Sequence, residues 1–134
     1  MPNGIVAFLD RPAAGSHGNR LLSVGPFGLW PNGIVVFKPG GAGFVTPDGS
    51  LGMKFGWRRG VRGQLTIEGR RLDASSRPLR ADIPNGYGDF GFQATALIFP
   101  TPGCWEVTGH VGEASLTFVT LVVKIGDGPN WRVP

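Results

Sequence analysis

The chain has 134 residues, of which 41% are hydrophobic and 16% charged, with a formal net charge of +4. That length suits one domain with one core, and the apolar fraction excludes a disordered chain even though 23 Gly and 12 Pro are present. A single cysteine excludes an intrachain disulfide, and no apolar run approaches the ~18 residues a membrane-spanning helix needs.

Gly and Pro recur at short intervals and read as turns between strands. Ile5–Leu9 and Leu21–Val24 are weak strand candidates, and Gly33–Phe37 is apolar on both faces. Period-two alternation then places Leu51, Met53, Phe55 and Trp57 on one face of a half-buried strand, followed by Leu65 and Ile67 on another. A helical turn is allowed only over Arg70–Arg77, where Pro78 would end it. Leu79, Ala81 and Ile83 alternate again, and Phe92–Phe99 is apolar on both faces. Cys104–Val111 and Ala114–Ile125 are the strongest strands, joined by the tight turn Val111-Gly112-Glu113.

The turns Pro31-Asn32-Gly33, Pro47-Asp48-Gly49 and Pro84-Asn85-Gly86 each pair a fixed φ at Pro with a Gly that tolerates positive φ. Short strands at this spacing predict an all-β, antiparallel two-sheet β-sandwich of about eight or nine strands, one domain over residues 1–134, with little or no helix. Its core is expected to include Phe55, Ile67, Ile98, Trp105 and Val107. Leu116, Phe118 and Val122 oppose Val119, Leu121, Val123 and Ile125, so the last strand is expected to bury both faces. Either loops such as Pro26–Trp30 or a second copy in a homodimer would cover the outer one.

The segment Pro102-Gly103-Cys104-Trp105-Glu106-Val107-Thr108-Gly109, followed by a long β-branched strand, resembles the closing hairpin of bacterial immunoglobulin-like sandwich domains. With Leu29-Trp30-Pro31-Asn32-Gly33, Asp48-Gly49-Ser50-Leu51 and Gly69-Arg70-Arg71-Leu72-Asp73, the chain is similar over residues 29 to 126 to a group of uncharacterised bacterial extracytoplasmic or lipoprotein-type domains. The resemblance implies the immunoglobulin-like fold and carries no activity. Met1-Pro2-Asn3 opens no basic and apolar export segment, so a cytoplasmic location is expected for the chain as written, and an extracytoplasmic one if an export signal has been removed.

Gly86-Tyr87-Gly88-Asp89-Phe90-Gly91 fits the dinucleotide pattern GxGxxG, but that pattern must open a helix and a strand follows here. Cys104 and His110 lie six residues apart on one strand, roughly 20 Å at ~3.3 Å per residue, too far for a nucleophile and base. Cys104, His17, His110 and Met53 supply the residue types of a blue-copper site, yet Cys104 begins a strand and Met53 lies on a core-facing stripe. Hydrolase, NTPase and paired-cysteine zinc signatures are absent, and the spacing of a carboxylate pair such as Glu68 and Glu106 is not fixed by sequence. No catalytic residue, cofactor or metal is therefore assigned.

Basic residues crowd between Lys54 and Arg80: Arg58, Arg59, Arg62, Arg70, Arg71 and Arg77 lie between them. Such a run either meets an acidic partner or solvates a strand face and its loops. Trp57-Arg58-Arg59-Gly60-Val61-Arg62-Gly63 brings forked cationic donors next to an indole, so Trp57, Arg58, Arg59 and Arg62 are the expected ligand contacts. Tyr87 and Phe90 join them from the Gly-rich loop. The competing reading buries Trp57 with Phe55 and leaves the arginines solvating a turn.

The leading expectation is a non-enzymatic binding module for a carbohydrate, a polyanion or a protein surface. A self-associating structural domain is the alternative, followed by a small enzyme or a copper-binding, cupredoxin-like protein.

Overall fold

A computed structural model of the chain describes residues 17–18, 21–26 and 33–126. The strand expected at Ile5–Leu9, the loop Pro26–Trp30, the residues Pro31 and Asn32, and Trp131 fall wholly or largely outside the described residues, as does the side chain of His17.

Among the described residues ten strands follow in chain order: β1 (His17–Gly18), β2 (Leu22–Pro26), β3 (Ile34–Phe37), β4 (Phe44–Val45), β5 (Leu51–Arg59), β6 (Leu65–Arg71), β7 (Arg80–Asp82), β8 (Gly91–Phe99), β9 (Gly103–Val111) and β10 (Ala114–Lys124). One sheet has the order β1-β2-β5-β8-β7, with β4 also pairing β5, and the other has the order β3-β10-β9-β6. Every pair is antiparallel except β3 with β10, which run parallel. The chain is an all-β two-sheet sandwich. The two-residue strands β1 and β4 are too short to leave a period-two signal and were not expected.

The core lies between the sheets and is built from alternate residues. Phe55 and Trp57 of β5 meet Phe118 of β10, each with ring centroids 6.3 Å apart, while Phe99 of β8 meets Trp105 of β9 edge-on at 5.6 Å. All five rings are buried. By area, each contributes on the order of 3 kcal/mol. The sheets approach closely at Gly109, where an added Cβ would lie 2.5 Å from a Trp57 ring carbon, so only glycine fits beneath the indole. The indole N–H is not left bare: Trp57 Nε1 donates to Thr95 Oγ1 at 3.1 Å, and Thr95 in turn donates to the Phe55 carbonyl at 3.0 Å.

Two core expectations need correction. Ile98 is only half-buried, because the inward set of β8 is Gln93, Thr95, Leu97 and Phe99 and alternation turns Ile98 the other way. Ile67 is half-buried too, although it packs against the core. The helical turn expected over Arg70–Arg77 does not form. Instead β6 carries Arg70 and Arg71 into the ladder opposite Glu106 and Trp105, and Leu72 N extends it with a 2.7 Å bond to the Cys104 carbonyl.

On β10, Phe118, Thr120 and Val122 point into the core. On the opposite face Val119 and Cys104 are also buried, Leu121 and Val123 are half-buried, and Val36 and Ile125 are exposed at 37% and 53%. A single chain thus closes part of this outer face. Among the described residues no helix is long and apolar enough to cross a membrane.

Candidate functional site

Consecutive strand residues point to opposite faces, and this divides the expected contact patch at the end of β5. Arg58 faces solvent, whereas Trp57 and Arg59 are 0% and 1% exposed. The indole and the Arg59 guanidinium therefore offer nothing to a ligand directly. The same period-two rule that identified β5 places these two behind the surface.

Arg59 has a different task. Its Nε–H donates to the Gly91 carbonyl at 3.2 Å, its Nη1 to those of Gly63 and Gly88 at 3.2 and 3.0 Å, and its Nη2 to those of Tyr87 and Phe90 at 2.9 and 3.3 Å. A guanidinium has five N–H donors, and here each finds a backbone carbonyl. A charge taken out of water is costly unless hydrogen bonds replace its hydration; this ring of carbonyl dipoles does so without a carboxylate. The result is a clasp that holds the 86–92 segment against the end of β5. Gly86, Gly88 and Gly91, at φ of 103°, 70° and 79°, let that backbone curl round one side chain. Gly63 N adds a 2.8 Å bond to the Asp89 carbonyl.

The clasped loop presents aromatic rings outward. Tyr87, Phe90 and Phe92 are 38%, 51% and 39% exposed. Tyr87 packs against Phe92 at 5.9 Å with an interplanar angle of 66°. The Arg58 guanidinium lies 6.0 Å from the centre of Phe92, and that of Arg62 lies 5.4 Å from the centre of Phe90. Arg62 also pairs with Asp89 at 2.9 Å. Beside the rings opens a cavity of about 450 Å³, with Gln64, Asn85, Tyr87 and Asp89 on its walls and the backbone of Gly86 and Gly88 along it.

Arg58, Arg62, Tyr87 and Phe90 thus come together at one end of the sandwich, while Trp57 and Arg59 stand behind them. Sequence reasoning missed Phe92, because it reads there as the first residue of the run Phe92–Phe99 that is apolar on both faces. It also missed the amides of Gln64 and Asn85 and the carboxylate of Asp89. Gln64 and Asp89 lie 25 residues apart, and no local pattern links them.

The basic run does not form one patch. Arg70 pairs with Glu106 at 3.1 Å, Arg71 with Asp73 at 2.8 Å, and Arg77 and Arg80 both approach Asp48, at 3.8 and 3.4 Å. Folding distributes these cations over both sheets and gives most of them a carboxylate.

The remaining chemical candidates are scattered. Cys104 is buried on the outer face of β9, and its thiol pKa is raised by burial and secondarily by Asp73. Asp73 is held below the ordinary carboxylate range by the Arg71 hydrogen bond and by the Cys104 N–H, 3.1 Å away. Met53 is buried between the sheets, and His110 contacts Glu68 at 3.2 Å further along β9, so Cys104, His110 and Met53 are not brought together. Among the described residues no group of three or more His, Cys, Asp or Glu could hold a metal ion. Glu68 and Glu106 share a second, smaller cavity of about 260 Å³ on the open face of the second sheet, where Glu106 is engaged by Arg70.

Comparison with protein-family models, with curated proteins and with solved structures finds no match.

Proposed function

We propose that this chain is a non-enzymatic binding module whose contact surface is the end of the sandwich formed by Arg58, Arg62, Tyr87, Phe90 and Phe92. The observation that carries the reading is two exposed rings on a glycine-rich loop that a buried guanidinium fixes from behind, with a third exposed ring, Phe92, where that loop enters β8. Apolar rings held out in water are unfavourable for an isolated fold, and a loop ordered before binding loses little entropy when a ligand arrives. Rings and guanidinia are also the side chains that dominate recognition surfaces.

An immunoglobulin-like connectivity accompanies this reading. The neighbours β2-β5-β8-β7 in one sheet and β6-β9-β10 in the other follow the ABED and CFG succession of such domains. Loops at one end of these sandwiches commonly carry the contact residues.

The test is binding of the wild-type chain and of a Tyr87→Ala, Phe90→Ala double variant to a panel of immobilised neutral glycans, sulfated glycans and other polyanions. Both side chains are exposed, so the melting temperature should be unchanged while any wild-type binding falls by about tenfold or more. Binding that survives the double substitution would remove this end from consideration.

Self-association is the second reading, favoured by the exposed Val36 on the apolar strand β3, which is the edge of its sheet among the described residues, and by the exposed Ile125 beside it. Sedimentation velocity across a concentration series tests it: a dimer that dissociates on Val36→Lys supports it, and a monomer throughout rejects it.

A further inference from the structure

We infer that the cavity beside the aromatic loop takes an uncharged saccharide unit, an inference that rests on the binding-module reading and narrows its ligand. Among the described residues, the titratable walls of the cavity are Asp89 and Tyr87, and no cationic side chain lines it. The Asp89 carboxylate is already matched by Arg62 at 2.9 Å. A phosphate, sulfate or carboxylate entering here would face a carboxylate with no fresh cation to meet it, which disfavours an anion.

The other polar walls are amides. The side chains of Gln64 and Asn85 are exposed and make no hydrogen bond to the described residues, so each offers an amide carbonyl and an N–H pair to a guest. Adjacent hydroxyls on a sugar ring are both donors and acceptors about an amide's width apart, and a planar amide or carboxylate can engage two at once. The free carboxylate lone pairs of Asp89 add acceptors, and the Tyr87 hydroxyl adds one group of each kind. Tyr87 is braced by Phe92 at 5.9 Å, which holds its ring at the cavity mouth as an apolar platform for the C–H face of a pyranose.

Shape points the same way. The volume of about 450 Å³ lies within the range of small-molecule sites, ~300–1,000 Å³. Along it, an added Cβ at Gly86 or Gly88 would meet no atom within 4 Å, so at these positions the loop exposes bare backbone that a ring can approach closely. A protein side chain would instead call for an apolar pocket, and apart from Ile83, Pro84 and the Tyr87 ring these walls are amide, carboxylate and glycine.

The experiment is a titration of the full chain, followed by ¹H–¹⁵N NMR, with neutral oligosaccharides of glucose, mannose, galactose and N-acetylglucosamine and with sulfated counterparts. At least one neutral probe should shift the Gly86 and Gly88 backbone amides and the side-chain amides of Gln64 and Asn85. Its affinity should drop by about tenfold in Asn85→Ala or Tyr87→Ala, and should hold between low and high salt because no ion pair forms. Failure of every neutral probe to bind overturns the inference, as does binding indifferent to Asn85→Ala. If sulfated probes alone bind, and are lost on Arg58→Ala with Arg62→Ala, the saccharide inference is wrong while the contact surface stands. If binding of any probe ignores Tyr87→Ala and Phe90→Ala, the contact surface falls with it.

Discussion

At its first residue β5 is entered from a turn organised by Asp48, whose oxygen accepts from the Thr46 hydroxyl and, at 3.1 Å, from Ser50 N, each two residues away. At its last residue the same strand ends in Arg59, whose acceptors run from Gly63, four residues on, to Phe90 and Gly91, more than thirty residues on. The first turn is local, exposed and held by a carboxylate that collects N–H and O–H donors. The second is non-local, buried and held by a cation that collects carbonyls. A local turn can form from its own few residues and serves to start a strand. A non-local clasp forms only when β5 and β8 are already paired, and it fixes the surface on which recognition depends.

The largest effect should come from removing the clasp. Arg59→Met keeps the apolar stem but deletes all five donors, leaving the carbonyls of Gly63, Tyr87, Gly88, Phe90 and Gly91 to water that must enter a buried space. Each unsatisfied carbonyl costs ~1–3 kcal/mol, and partial hydration limits the total, so a loss of roughly 3–5 kcal/mol in urea unfolding is expected. Hydrogen exchange in the 86–92 segment should quicken at the same time. Arg59→Lys, with three donors on a narrower head, should fall between the two. A change under ~1 kcal/mol would show that the loop keeps its shape without the guanidinium.

Next in size are the glycines, which compare the two ends directly. Gly49 beside Asp48 and Gly88 in the clasped loop have φ of 86° and 70°, and neither would place an added Cβ within 4 Å of another atom. Alanine at either should cost a similar ~1–2 kcal/mol of backbone strain. Their consequences should then part: Gly88→Ala should also weaken probe binding at the sandwich end, whereas Gly49→Ala should leave it unchanged. Equal effects on binding would mean that the clasped loop is not the contact surface.

The same contrast explains what could be read from the residues alone. Period-two patterns in Leu51–Trp57 and in Cys104–Val111, with turn signals between them, lead to the sandwich because strand faces and turns are local properties. The Pro47-Asp48-Gly49 turn was legible for the same reason. Arg58 and Arg62 were singled out because they lie near an aromatic residue in the chain, and Tyr87 and Phe90 because a Gly-rich loop carries them. The grouping of Trp57, Arg58 and Arg59 as one patch failed on alternation, a rule already in hand for that strand. What was hidden is the partnership of Arg59 with a loop some thirty residues away, since backbone carbonyls leave no mark in a sequence. The cavity walls were hidden likewise: Gln64 and Asn85 become neighbours only through the pairing of sheets and loops.

The smallest effect belongs to Asp48, and it is visible mainly through pH. Its carboxyl is held well below the usual carboxylate range, first by the Thr46 hydroxyl, then by the side chain and backbone N–H of Ser50, and least by Arg80. A folded pKa below the unfolded value of about 3.9 means that ionised Asp48 stabilises the fold fully above about pH 4 and loses that contribution as pH falls towards the depressed value. Asp48→Asn keeps the shape and one acceptor but binds no proton here. The variant should therefore be slightly less stable than wild type near neutrality, and the gap should narrow as pH drops below about 4. Asp73, also depressed, leaves both chains with a shared acid sensitivity that Asp73→Asn would remove. Melting temperatures measured from neutral to acid pH decide the matter: converging curves support the local carboxylate turn, and parallel ones show that its charge contributes nothing. The loss in Arg59→Met should show no comparable convergence from the clasp itself, because its acceptors are backbone carbonyls that take up no proton in this range.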